Sequence, residues 1–173
     1  MEFYSGVGSR ETPDIIMKMM TVLAFEFQEL FTLRSGGAPG ADSAFEDGIT
    51  NGNKEIYLPW KGFCDNDSEL YSVCPDAEKI AKQFHPGNWA AFKPAIRKLH
   101  SRNVYQVLGQ DLNTPSKFLL CWTADFCESH KTRSIRTGGT GTAISIADHY
   151  GVPIINMSRK NWQDKLKQIL DNE

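Results

Sequence analysis

Short apolar segments alternate with longer amphipathic ones along this chain, and glycine-rich loops join them. Residues 2–4 have the composition of a strand, and apolar residues then recur at helical spacing from residue 14 to about residue 31. Further strands are predicted at residues 31–34, 55–60, 116–123 and 152–157, and further helices at residues 41–48, 75–84, 94–108 and 161–170, with one more after the glycine loop at 137–142. Strands that alternate with helices are typical of a parallel sheet covered by helices. The sequence therefore predicts an α/β fold: a single Rossmann-like domain with a mostly parallel sheet and helices on both faces.

Length and composition fit one compact domain that covers residues 1–173. Of the 173 residues, 40% are hydrophobic, which is enough for a sizeable core. The formal net charge of −2 gives no global attraction to nucleic acid or to an anionic membrane, so neither partner is expected. The first ten residues do not resemble a secretion signal, and no apolar run approaches the roughly 18 residues of a membrane span, which predicts a cytoplasmic protein. The cysteines and histidines lack metal-ligand spacing, so neither a metal nor a cofactor is expected.

Three glycine-rich loops combine glycine with hydroxyl or charged residues: SGVGSR at residues 5–10, SGGAPGADS at 35–43 and TGGTGT at 137–142. In a parallel sheet, loops at the carboxyl ends of the strands meet at the ligand crevice. Glycine lets backbone N–H groups approach an anion, and the amino end of a helix favours negative charge. The ligand-binding residues predicted from these loops are Gly6, Gly8, Ser9, Arg10, Ser35, Gly36, Gly37, Gly40, Asp42, Thr137, Gly138, Gly139, Thr140, Gly141 and Thr142.

The same loops also have a purely structural interpretation, because strand-to-helix turns need glycine for geometry alone. Three similar loops in one chain favour a ligand that carries phosphate, ribose or carboxylate oxygens. The second loop lacks the lysine of the GxxxxGK[ST] motif, which argues against nucleoside-triphosphate hydrolysis. Glu11 stands where the GxGxxG motif requires its third glycine, which argues against ordinary NAD-dependent hydride transfer. Arg10 is predicted to grip a phosphate, or alternatively to bind a neighbouring carbonyl at the surface.

A polar stripe interrupts the apolar helix predicted at residues 94–108. Arg102 and Gln106 share a helix face at i, i+4 spacing, and Asn103 lies beside them. These side chains are predicted to form a second wall of the pocket, and the alternative is a solvated helix face. Trp122 ends a predicted strand, where its indole would stack on a base or, alternatively, cap the core.

The segments GVGSR, SGGAPGAD and TGGTGTAISIA together resemble the SLOG superfamily. This superfamily groups the Rossmann domain of DNA-processing protein A with the "lonely guy" phosphoribohydrolases, also described as possible lysine decarboxylases. The resemblance spans roughly residues 2–157 and is strongest in the three loops, while residues 100–109 and the FLLCWT strand look like small bacteriophage members. It implies a Rossmann-like fold, a nucleotide-derived ligand, a homo-oligomer and, for a phage-encoded chain, the host cytoplasm.

The phosphoribohydrolase branch is characterised by the motif PGGxGTxxE, whose glutamate assists cleavage of the N-glycosidic bond. In this chain Thr137 replaces the proline and Ser145 occupies the position of the glutamate. Serine cannot supply a carboxylate, so the departure from the motif argues against a hydrolase. If the chain is nevertheless an enzyme, Asp42 and Glu46 are its candidate catalytic acids.

These features lead to the expectation of a protein that binds a nucleotide-derived molecule and sequesters or senses a signalling nucleotide, such as a cyclic ADP-ribose-type messenger of antiphage defence. Two alternatives stay open: an enzyme that acts on the N-glycosidic bond, and a recombination mediator like DNA-processing protein A. The second is disfavoured because the composition is not basic. Beyond a helix at 75–84, residues 61–88 give no clear prediction and are interpreted either as a lid or as a subunit interface.

Overall fold

One five-stranded sheet forms the centre of the molecule, whose computed structural model describes residues 2–171. All strand pairs are parallel, and the spatial order is β3-β2-β1-β4-β5. The strands are β1 (Glu2–Gly6), β2 (Phe31–Ser35), β3 (Lys54–Ile56), β4 (Phe118–Cys121) and β5 (Ile154–Asn156). The prediction of a Rossmann-like α/β domain is confirmed.

Helices cover both faces of this sheet. They are α1 (Asp14–Phe27), α2 (Ala41–Gly48), α3 (Pro75–Phe84), α4 (Pro94–Leu108), α5 (Thr140–His149) and α6 (Trp162–Asp171). Helices α1, α2 and α6 pack on one face, and α3, α4 and α5 pack on the other, each group around its own apolar cluster. None of the helices in residues 2–171 is both long and apolar enough to cross a membrane.

An aromatic cluster fills the core between the sheet and α1. Tyr4, Phe27, Phe31 and Phe118 are buried, and their rings meet at centroid distances of 5.4 to 6.2 Å, mostly edge to face. Each buried ring of this size contributes roughly 1.5–3 kcal/mol relative to an exposed one. The cluster brings together β1, β2, β4 and α1, and so it fixes the strands whose carboxyl ends carry the loops described below.

Several predicted boundaries were wrong by a few residues. Helix α1 ends at Phe27 rather than near residue 31, because the Leu30 N–H closes a tight turn on the Phe27 carbonyl at 2.9 Å and β2 begins at Phe31. The Gln28 side-chain oxygen, just beyond the helix, accepts hydrogen bonds from the backbone N–H groups of Thr50 and Asn51, at 3.0 Å each. Strand β3 ends at Ile56, since the N–H of Leu58 turns away to the Leu70 carbonyl. The predictions at 41–48, 75–84 and 94–108 match α2, α3 and α4.

Residues 61–88, for which only the helix at 75–84 could be predicted, contain a short 3₁₀ turn (Phe63–Asp65), an extended stretch and α3. Cys64 and Asp65 in the turn have left-handed backbone angles, φ 52° and 60°. Phe63 is buried in this turn and lies below the guanidinium of Arg102, with 5.8 Å between the guanidinium carbon and the ring centroid. The segment therefore supports one wall of the site described next.

Candidate functional site

A cavity of about 600 Å³ opens at the carboxyl ends of β1 and β4. These two strands are neighbours in the sheet, yet the helices that follow them leave in opposite directions, so the cavity lies where the strand order reverses. Its wall comes from the loop after β1, the start of α2, one face of α4 and the segment that leads into α5. Of the predicted ligand-binding residues, those on this wall are Gly8, Ser9, Arg10, Asp42, Arg102, Asn103, Thr137, Gly138, Gly139 and Thr140.

The most buried charges of the cavity wall form an ion pair between α2 and α4. Arg102 Nη1 lies 3.2 Å from Asp42 Oδ2, and their side chains are only 6% and 5% exposed. Burial raises the pKa of Asp42 and lowers the pKa of Arg102, and the attraction between the two charges opposes both shifts. The Ala38 N–H donates to Asp42 Oδ2 at 3.5 Å, and the Ala41 N–H donates to the Ser9 carbonyl at 3.4 Å, so the start of α2 is tied to the first glycine loop.

The guanidinium of Arg102 is held by α4 itself as well as by Asp42. With its amide oxygen facing the second loop, Gln106 accepts hydrogen bonds from Arg102 Nη1 and from the Gly36 N–H, both at 2.9 Å, and donates to Asn103 at 3.0 Å. Asn103 in turn donates to the Gly139 carbonyl at 2.9 Å. The predicted polar stripe of α4 therefore connects the second and third loops.

Arg102 has one donor that the protein does not satisfy. Within residues 2–171 its buried Nε–H group has no hydrogen-bond partner. A buried donor without an acceptor costs about 1–3 kcal/mol, and more when the group is charged. The protein covers this atom, so a ligand oxygen would accept its hydrogen bond only after the Arg102 side chain turns toward the cavity that it lines.

Backbone hydrogen bonds hold the first loop beside the carboxyl end of β4. The N–H groups of Val7 and Ser9 donate to the Leu120 and Trp122 carbonyls at 3.1 and 3.2 Å. Ser9 uses its hydroxyl to accept the Glu11 N–H at 3.0 Å, so this side chain shapes the loop. Arg10 is exposed and lines the cavity, where its charge is free to meet a ligand.

The third loop owes its shape to an acidic residue that the sequence interpretation did not single out. Asp125 accepts hydrogen bonds from the hydroxyls of Ser134 and Thr137, the first at 2.6 Å. This fixes the single 3₁₀ turn Ile135–Thr137, and Gly138 follows with φ 64°, before α5 begins at Thr140. The amino end of α5 consequently lies at the cavity wall, where the helix dipole favours an anion.

The remaining predicted ligand-binding residues lie behind the wall rather than on it. They are Gly6, Ser35, Gly36, Gly37, Gly40, Trp122, Gly141 and Thr142. The Ser35 hydroxyl donates to the Gly6 carbonyl at 2.7 Å, which joins β1 to β2. Trp122 packs, partly buried, against the core cluster beneath α1 and α2, so its indole supports the fold from outside the cavity.

Glu46, one of the two candidate acids, lies away from the cavity. Its carboxylate oxygens bind Lys54 Nζ at 3.0 Å and Asn66 Nδ2 at 2.9 Å. Ser145, at the position of the family glutamate, is fully buried, and its hydroxyl contacts His130 Nδ1 at 2.8 Å and Arg133 Nη1 at 3.3 Å. Asp42 is therefore the candidate acid that reaches the cavity.

His100 lines the cavity from α4, and no sequence motif pointed to it. Its Nδ1 lies 2.9 Å from the Thr142 hydroxyl, which also accepts a hydrogen bond from Arg133 Nη2. The direction of the hydrogen bond between His100 and Thr142 depends on which ring nitrogen of His100 carries the proton. Burial, followed by the positive charges of His85, Arg133 and Arg102, lowers the pKa of His100 to about 4.

The lowered pKa of His100 predicts a loss of stability in mild acid. An unfolded histidine has a pKa near 6.5, so between that value and about 4 the unfolded chain binds more protons than the folded one. The free energy of unfolding should therefore fall as the pH drops through this window, by about 2 kcal/mol after allowance for partial solvent exposure. Urea unfolding at a series of pH values measures this slope, and His100→Asn should flatten it. An identical slope in both proteins would contradict the assignment to His100.

Part of the cavity rim is apolar. Ile135 is 97% exposed and Ile96 is 39% exposed, and both line the cavity together with Leu99. An almost fully exposed isoleucine is unfavourable in water, and a planar apolar group between these side chains would cover it. The sequence interpretation missed these residues as part of the site because Ile96 and Leu99 have the spacing of core positions on α4, and Ile135 is a single apolar residue between α-helices.

Comparisons of the chain with protein-family models, with curated proteins and with solved structures gave no match. Among residues 2–171, no group of three or more histidine, cysteine, aspartate or glutamate side chains is placed to hold a metal ion. The chemistry of the cavity wall is therefore the basis of the functional argument.

Proposed function

We propose that this protein binds a nucleotide-derived small molecule that carries phosphate and ribose groups, and that it sequesters or senses this molecule without converting it. The observation that carries the proposal is the cavity at the reversal of the strand order, with the partly unsatisfied guanidinium of Arg102 in its wall. Such a guanidinium requires an acceptor, and phosphate or ribose oxygens are acceptors of the right kind.

The charge of the cavity wall favours an anionic ligand. Three arginines line it, Arg10, Arg102 and Arg136, against the carboxylates of Glu11 and Asp42. The Arg102–Asp42 pair neutralises itself, and Arg10 and Arg136 together outweigh the carboxylate of Glu11 by one positive charge. The amino end of α5 adds a partial positive charge on the same side. These groups together would bind a phosphate more strongly than a neutral sugar.

The size and the apolar rim favour a ligand that also has a planar ring. A volume of about 600 Å³ lies in the range of small-molecule sites, which is about 300–1,000 Å³. Ile96, Leu99 and Ile135 would contact a base, while Asn103 and Arg102 would bind its ribose or phosphate oxygens. In this arrangement the base lies at the rim and not against Trp122, whose side chain packs on the core.

A binding assay that also reports chemical change tests the proposal. The purified protein is incubated with AMP, ADP-ribose, cyclic ADP-ribose isomers and cyclic dinucleotides, and the free fraction is analysed by mass spectrometry. The protein is then heat-denatured and the released material is analysed again. A ligand that disappears from solution and returns intact supports sequestration. Failure of every nucleotide to bind contradicts the proposal.

Arg10→Ala should weaken nucleotide binding without weakening the fold. Arg10 is exposed and lines the cavity, and a hydrogen bond to a charged group contributes about 1.5–3 kcal/mol, so we expect a ten- to hundredfold rise in the dissociation constant. Isothermal titration calorimetry measures the affinity, and Lys160→Ala, an exposed change away from the cavity, is the matched control. Equal affinities for the two variants would exclude Arg10 from the site.

The second candidate function is cleavage of the N-glycosidic bond, and one observation favours it: Asp42 is a buried carboxylate at the cavity wall with a raised pKa. Raised carboxyl pKa values are typical of general acids. In the assay above, this function would return a free base and a sugar phosphate. Asp42→Asn would then abolish turnover and retain binding, whereas a glycosidase activity that survives this substitution would exclude Asp42 as the acid.

A further inference from the structure

Helix α1 presents large apolar side chains to solvent on its outer side. Ile15, Val22 and Phe25 are 60%, 56% and 56% exposed, and Met19 is 37% exposed. We call these four residues the α1 stripe. The inner side of the same helix, with Met20, Ala24 and Phe27, packs on the core, so the helix is apolar on both sides. An outer helix face in contact with water is normally polar, and a contiguous apolar patch on it marks an interaction surface.

The charges beside the α1 stripe have a symmetric arrangement. Lys18, Val22 and Glu26 follow one another at i, i+4 spacing and form one ridge along the exposed side of the helix. Val22 is the midpoint of this ridge, with a positive charge four residues before it and a negative charge four residues after it. Met19 and Phe25 flank the same midpoint, three residues away on either side.

We propose that the α1 stripe is the interface of a two-fold symmetric homodimer, in which α1 packs against α1 of a second copy. The two helices would run antiparallel, so that positions equally far from Val22 on either side face one another across the axis. A two-fold axis at Val22 then brings Lys18 next to Glu26 of the partner subunit, and Met19 next to the partner's Phe25. Because the axis repeats every contact, the interface contains two ion pairs of opposite sense and two apolar pairs.

A second copy fits this surface better than an unrelated partner because the surface is complementary to itself. An interface between identical subunits must place each group opposite its symmetry-related counterpart. Opposite charges at equal distances from Val22 satisfy this requirement, whereas two like charges there would repel.

The proposed dimer leaves the nucleotide site open and does not rest on the proposed function. The residues of the α1 stripe do not line the cavity. In addition, α1 lies on the opposite face of the sheet from α4 and α5, which supply much of the cavity wall. Loss of the dimer should therefore leave nucleotide binding to a single subunit intact.

Charge reversal at the two symmetric positions tests the pairing. Size-exclusion chromatography with light scattering, over a roughly hundredfold range of protein concentration, should give twice the chain mass for the wild type. Lys18→Glu and Glu26→Lys each place like charges opposite one another, so each variant alone should dimerise at least tenfold more weakly. An equimolar mixture of the two restores both ion pairs in the heterodimer, and the double variant restores them in the homodimer. Both should regain the dimer mass.

Controls separate loss of pairing from loss of folding. Lys167→Glu reverses an exposed charge on α6 and should leave the dimer unchanged, and circular dichroism should show the same thermal transition for every variant when measured as monomer. A wild-type chain that remains monomeric at about 1 mM would overturn the proposal. So would single variants that dimerise like the wild type, or a mixture that fails to recover the dimer.

Discussion

Asp42→Ala is expected to lower the free energy of unfolding by about 3–5 kcal/mol, because it leaves the Arg102 guanidinium buried without a counter-charge. The two side chains are among the least exposed charged groups of the molecule, and water cannot replace the lost carboxylate without opening the contact between α2 and α4. The same substitution removes the acceptor of the Ala38 N–H group. Urea denaturation of the purified variant measures the change.

A double variant distinguishes the loss of a partner from the loss of packing. Asp42→Leu combined with Arg102→Met removes both charges and keeps apolar bulk, so it should be more stable than Asp42→Ala alone. That result would indicate that the ion pair serves to present the Arg102 guanidinium to the cavity rather than to stabilise the fold. The double variant, which lacks this guanidinium, should fail to bind nucleotides. A loss of less than about 1 kcal/mol in Asp42→Ala would show that the pair is accessible to water.

Gly36→Ala is expected to lower the free energy of unfolding by about 2–3 kcal/mol and to weaken nucleotide binding at least tenfold. A Cβ atom on Gly36 would overlap Arg102 Nη1 and the terminal amide group of Gln106, and both of these side chains are buried. The guanidinium would have to move, although Asp42, Gln106 and the Phe63 ring hold it on three sides. Denaturation and calorimetry report the two effects separately.

Gly139→Ala is the matched control for this substitution. Gly139 has helical backbone angles, φ −62° and ψ −28°, and a Cβ atom there meets no atom within 4 Å. We expect its free energy of unfolding to stay within about 0.5 kcal/mol of the wild type. If Gly36→Ala were tolerated equally well, the close approach of the second loop to Arg102 would have no role in the site.

The sequence predicted the fold from local periodicity, and it failed where tertiary contacts set the boundaries. Helix α4 was predicted with the right bounds, because Pro94 marks its first turn and Gly109 its end. Helix α1 was predicted too long, since the apolar spacing continues through Leu30 although the backbone turns after Phe27 and enters β2 at Phe31. No pattern in residues 61–74 could have indicated that Phe63 would pack below a buried arginine.

Residues of the candidate site could be predicted where glycine and charged residues occur together in a loop. They could not be predicted where a residue supports the site through contacts that follow no local sequence pattern. Arg10, Asp42 and Arg102 are on the cavity wall, as the loops and the polar stripe suggested. Asp125 was missed because it shapes the third loop from nine and twelve residues upstream of its partners Ser134 and Thr137. Gly139 lies on the cavity wall and Gly36 lies behind it, and only three-dimensional distances distinguish the two positions.

The placement of β1 at the centre of the sheet also determines when the protein is most vulnerable to aggregation during synthesis. Tyr4 of β1 pairs with Leu33 on one side and with Phe118 on the other. At about 5–20 residues per second, roughly 6 to 23 s separate the synthesis of Tyr4 from that of Phe118. Once residues 2–56 have been made, a nascent chain that has formed β1 to β3 exposes one unpaired edge of β1 for the rest of this interval, and a neighbouring nascent chain can add a strand to that edge. Slower translation of residues 57–117 would lengthen this interval and raise the demand for a ribosome-bound chaperone, although the stability of the finished sheet would be unchanged.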